Sequence, residues 1–178
     1  VLSTELLAIR LLTPFTGSGS DTVSIIIAAV LLPLAFGYAA GGHFKKKRGT
    51  SVRQKLLRNL AIAACFLAVG LSYALLEMFF VLLQKNIGIH NRLVLTAAYS
   101  ALFLIVPVYL LGQTVPLISN YFSREKISQA AGKMLFFSTL GSFMGAVFCT
   151  LVLMNYAGVH HTVSITMGGI AALAILLS

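Results

Sequence analysis

With 178 residues, 58% of them apolar and only 10% charged, the chain is too poor in charge to cover a water-soluble surface, since soluble domains run nearer one quarter charged. Its mean hydropathy of +0.95 and its apolar runs, which approach the roughly 20 residues of a bilayer-crossing helix, put it in the helical membrane class. The formal charge of +9 does not indicate nucleic acid, because seven of the thirteen basic residues fall between Lys45 and Arg58, and a short basic block between apolar helices marks a cytoplasmic loop that meets anionic membrane lipid.

The expected fold is all-α: a polytopic transmembrane helical bundle, one domain over 1–178, with a partial first span and five full or nearly full ones. Val1 to Leu12 reads as the end of a helix that began earlier, broken by Pro14, Gly17 and Gly19. Asp21 or Thr22 is expected to cap the second span, Val23 to Gly42, with Pro33 as a kink point. A basic loop over 43–59 follows. The third span is expected as one helix from Leu60 to Leu83, interrupted only by Glu77. A short connection with Gly88 leads to the fourth span, from Leu93 to at least Gly112, and the stretch 112–119 either continues that helix or breaks it. After a charged connector at 123–133 come the fifth span, Met134 to Asn155, a turn over Gly158-Val-His-His161, and a sixth segment, Val163 to Leu177. Both chain ends read as cuts through helices.

Loop charge orients these spans. The loops at 43–59 and 123–133 are the most basic, while 13–22 and 156–162 carry no Lys or Arg. The alternation puts the two basic loops, and the end of the sixth span, in the cytoplasm.

Small residues supply candidate packing faces. Ser138/Ser142 and Gly141/Gly145 in the fifth span, and Gly37/Gly41 in the second, have i,i+4 spacing, and close backbone approach across small residues is a main route to helix association in lipid. The sequence leaves open whether they pack within the chain or against another subunit. Cys65 and Cys149 lie in apolar helices without metal-ligand spacing and read as packing residues. His43, His160 and His161 sit near predicted interfaces without a ligand set, and Tyr121 and Tyr156 read as interfacial anchors. No cofactor or metal site is assigned.

The polar intramembrane residues are the candidate site. Glu77 stands in an apolar run where an ionised carboxylate is costly, so it either handles a proton or cationic substrate or fixes helix order through a buried contact. Gln113, beside Pro116, either lines a broken-helix site or satisfies backbone groups freed by the proline. Glu5 and Arg10 are five positions apart, about 500° around a helix, so each is expected to meet another helix or an interface rather than its counterpart.

Several spellings extend beyond generic packing. They are Glu5-Leu-Leu-Ala-Ile-Arg-Leu-Leu-Thr-Pro14 with Phe15 and Gly17, Leu34-Ala-Phe-Gly-Tyr-Ala-Ala-Gly-Gly42, and Gly112-Gln-Thr-Val-Pro-Leu-Ile-Ser119. Gly132, Ser138-Thr-Leu-Gly-Ser-Phe-Met-Gly145, Gly158 and Thr162 follow in order. This set resembles the membrane domain of bacterial spermidine-synthase-like proteins, also described as fused transporter/spermidine synthases. The chain departs from that pattern at Val23, at Phe44-Lys-Lys and at Asn155. The resemblance implies an integral protein of the bacterial cytoplasmic (inner) membrane. It also implies a following cytoplasmic Rossmann-like domain, similar to aminopropyltransferases, that would bind decarboxylated S-adenosylmethionine and a polyamine. No residue here matches that domain's glycine loop and downstream acid, so no catalytic residue is assigned.

Three readings follow. The leading one is a non-catalytic membrane scaffold or anchor, carrying the cytoplasmic domain or docking as a subunit of a membrane complex. The second is a small-molecule transporter for polyamines or another cation. The third is the membrane part of an aminopropyltransferase whose catalytic domain lies outside this chain.

Overall fold

The computed structural model describes residues 1–43, 52–86, 88, 91–119 and 127–176. Residues 44–51 of the expected basic loop, part of the second charged connector (123–126) and Tyr121 lie outside the described residues, and the rest of that loop, from Val52 on, is helical. Within them the chain is all-helical. Three unbroken helices are long and apolar enough to cross a membrane, and two bent helix pairs bring the number of spans to five. The shorter α1 (Leu2–Thr16) stands before them as the partial first span.

Helix α1 runs through Pro14 rather than ending before it. A proline in the last turn forfeits only one backbone bond, to the Arg10 carbonyl, and hydroxyls reinforce the turns around it: Thr13 donates to the Ile9 carbonyl at 2.7 Å and Thr16 to that of Leu12 at 3.1 Å. The helix stops at Gly17, whose φ of 80° few other residues would adopt. The next helix, α2 (Ser20–Gly42), starts without the expected side-chain cap. Its N-cap is Gly19; the buried Thr22 hydroxyl instead reaches back to the Thr16 carbonyl at 3.5 Å, and Asp21 remains exposed in the first turn, where its charge suits the positive helix end.

The expected single third span is two helices, α3 (Val52–Gly70) and α4 (Tyr73–Asn86), bent by 62°. The bend has a tertiary cause. A Cβ on Gly70 would lie 2.8 Å from Phe103 Cβ, so only glycine admits that ring's helix so closely. The Gly70 carbonyl, released by the break, accepts a hydrogen bond from the buried Tyr99 hydroxyl. Irregular backbone at membrane depth is tolerated where protein groups satisfy it in this way. An aromatic cluster fills the elbow, with Phe15 stacked on Phe80 at 4.8 Å and Tyr99 against Phe103 at 5.2 Å.

The fourth span continues as helix to Ser119 in three pieces, α5 (Arg92–Phe103), α6 (Ile105–Gly112) and α7 (Thr114–Ser119), with a 46° bend. The fifth begins earlier than expected, as α8 (Ile127–Val147), and runs through a π-helical turn at Phe148–Leu153 into a last α-turn, α9 (Met154–Tyr156). The predicted four-residue turn shrinks to Ala157 and the start of α10 (Gly158–Leu176), since Gly158 at φ 75° reverses the chain at once and places His160 and His161 inside the helix.

Burial follows narrow stripes. In α2 the buried positions are Thr22, Ile26, Val30, Pro33, Gly37 and Gly41, one line of i,i+3 and i,i+4 steps. In α3 they are Leu56, Asn59, Leu60, Ala63, Leu67 and Gly70. The remaining faces expose large apolar side chains such as Leu32, Phe36 and Phe137, the surface of a helix meant for lipid rather than water. Helix α2 packs on α5, α6 and α7; α3 lies between α6 and α10; α8 borders the bundle against α1 and α7.

Candidate functional site

The site grows out of the contact between α2 and the α6–α7 step. A Cβ on Gly37 would lie 2.5 Å from the Tyr109 carbonyl oxygen, and one on Gly41 would lie 2.6 Å from Pro116 Cγ and 3.0 Å from the Gln113 carbonyl oxygen. Backbone therefore meets backbone, with Gly112 answering from the other side, 3.0 Å from the Leu34 carbonyl oxygen by the same measure. Gln113 closes α6, and its buried side chain turns inward: Asn59 Nδ2, on the buried stripe of α3, donates to Gln113 Oε1 at 3.1 Å. Neither side chain is ionisable at physiological pH. The pair performs no acid–base chemistry; it ties α3 to the α6–α7 step where water cannot compete for the bond.

The other candidate residues do not join it. Glu77 stands five residues into α4, not inside one continuous helix from Leu60 to Leu83, and on the outer face; Leu76, Phe80 and Leu83 form the buried one. Along the fourth span Gln113 is fourteen residues beyond Tyr99, up to about 21 Å at 1.5 Å per residue, while Tyr99 bonds the α3–α4 elbow that carries Glu77. The two polar groups therefore belong to different ends of the bundle. Glu5 is half-buried on α1 and forms no ion pair with Arg10 among the described residues. Arg10 faces outward into a cleft lined by Thr150, Leu151, Met154, Asn155 and Val159. His43 Nδ1 donates to the Ala39 carbonyl at 2.7 Å, and His160 meets the edge of Tyr73 at 5.1 Å. Among the described residues no three His, Cys, Asp or Glu side chains gather as a metal site.

The small-residue motifs divide. Gly37 and Gly41 pack inside the chain, whereas a Cβ on Gly141 would meet nothing within 4 Å and one on Gly145 would meet only Ser3 Oγ, at 3.2 Å. Ser138 and Ser142 are half-buried. Sequence reasoning missed Asn59 and Tyr99. Asn59 stands beside Arg58 and read as part of the basic segment, although its register with Leu56, Ala63 and Leu67 marks it as inward-facing.

Spans, lipid-type surfaces and a buried amide contact together define a polytopic α-helical membrane protein without an evident catalytic or metal-binding motif among its described residues. Against family models, curated proteins and solved structures, the chain has no match.

Proposed function

We propose that this chain is the membrane scaffold of a spermidine-synthase-like protein of the bacterial inner membrane, holding a cytoplasmic domain or partner subunit in place without chemistry of its own. The observation that carries the reading is the Asn59–Gln113 bond seated behind the Gly37/Gly41 contact. The two buried amides, Asn59 and Gln113, join α3 to the α6–α7 step. The segments that carry the resemblance also pack on one another: Gly37 and Gly41 of the 34–42 segment lie against Gly112, Gln113 and Pro116 of the 112–119 segment, and Gly145 lies against Ser3, next to the first motif. Loop charge directs the end of α10 to the basic side, where an attached domain would emerge into the cytoplasm.

Transport of a polyamine or another cation is the competing reading. The outward position of Glu77 argues against a path that joins it to Gln113. Purified chain in proteoliposomes is expected to give no saturable spermidine uptake above empty vesicles. Saturable uptake that Glu77→Gln abolishes would sink the scaffold reading and establish the transporter.

A further inference from the structure

Three polar side chains converge on one cleft without a partner. Arg10, Thr150 and Asn155 line a space of about 430 Å³ together with Leu151, Met154 and Val159, and none of the three makes a hydrogen bond or ion pair among the described residues. Thr150 contrasts with Thr13, Thr16, Thr96, Thr162 and Thr166, each of which donates to a carbonyl one turn back. It sits in the π-helical turn Phe148–Leu153, and such widened turns often re-aim side chains at binding sites.

The depth of the cleft narrows its ligand. Asn155 lies three residues before Gly158 and Val159 one residue after it, so these two bracket the sharp turn at the end of the bundle away from the basic loops. Arg10 stands seven residues before the Gly17 turn at that same end, about 10 Å down the helix, close enough for its long side chain to reach toward the interface. A guanidinium at the margin of the hydrocarbon gains from an anionic partner, and the cleft walls contain none. The apolar wall includes the strongly exposed Leu151, a surface suited to an acyl chain.

We propose that this cleft seats a glycerophospholipid from the leaflet opposite the basic loops, its phosphodiester held by Arg10, Thr150 and Asn155 and an acyl chain lying along Leu151, Met154 and Val159. Two non-bridging phosphate oxygens match the parallel N–H groups of a guanidinium; the Asn155 amide and Thr150 hydroxyl supply neutral donors beside them.

Native mass spectrometry of the delipidated protein titrated with phosphatidylglycerol tests this. Arg10→Gln and Asn155→Leu are each expected to weaken retention roughly ten-fold, the scale of losing a charge-assisted or buried hydrogen bond. Lys85→Gln, which alters a cation outside the cleft, should leave retention unchanged. Asn155 is exposed, so its replacement keeps the test valid if Arg10→Gln fails to fold. Equal retention by wild type and Asn155→Leu, or an equal loss in Lys85→Gln, overturns the proposal. A parallel thermal-shift arm uses inorganic phosphate alone. Stabilisation there that Arg10→Gln removes, without retention of phosphatidylglycerol, reassigns the cleft to a soluble anion and also overturns it.

Discussion

Asn59 and Gln113 are neutral amides placed where an ionised pair would be costly, and their bond contributes through what its loss leaves behind. An orphaned amide in a dry interior costs about 1–3 kcal/mol, while interhelical hydrogen bonds measured in membranes average about 0.6 and reach about 1.7 kcal/mol. Asn59→Leu and Gln113→Leu are therefore each expected to destabilise the protein by about 1–2 kcal/mol. The double variant should lose less than the sum, with a coupling of about 0.5–1.5 kcal/mol in an unfolding double-mutant cycle. Strict additivity would show that the two amides do not share a bond. Half of this pair was legible: Gln113 stands out as a polar residue in an apolar run, whereas Asn59 is concealed by the basic residues before it. Glu77 was legible as costly but not as outward-facing, because the direction of a side chain depends on which face its helix presents to a neighbour.

Among the helices, the two small-residue motifs share their spacing and differ in consequence. Gly37→Ala would drive a methyl to 2.5 Å from a backbone oxygen that cannot move aside, while Gly141→Ala enters open space. The first is expected to cost about 1–3 kcal/mol, as overpacking does, and the second to stay within about 0.5 kcal/mol, both measured by unfolding of the purified protein. A comparable loss in Gly141→Ala would mean that this face of α8 is covered by something beyond the bundle. The bend at Gly70 carries the same lesson. Nothing local in an apolar run around one glycine announces a 62° turn; it depends on Phe103 and Tyr99, some thirty residues on, to fill and satisfy the elbow. Conversely, Pro14 reads as a breaker and is absorbed, because a proline near a helix end leaves little unsatisfied.

For the molecule as a whole, topology is the quantity to measure. With Cys65 and Cys149 replaced by alanine, a cysteine at Ser18 should react with an impermeant maleimide in intact cells, and one at Gly42 only after permeabilisation; both positions are exposed at opposite ends of α2. The reverse labelling pattern would overturn the orientation drawn from loop charge. Composition and the positions of apolar runs were enough to establish the membrane class, the all-helical fold and the order of the spans, because transfer into lipid is close to a sum over local residues. Tertiary structure alone decided where two spans bend, which glycine face is buried, that Gln113 is tied to Asn59 while Glu77 faces outward, and that Arg10 shares a cleft with Thr150 and Asn155. Those outcomes depend on which helix faces meet. In lipid, where apolar faces are nearly interchangeable, that choice rests on close steric fit and a few hydrogen bonds between residues far apart in the chain.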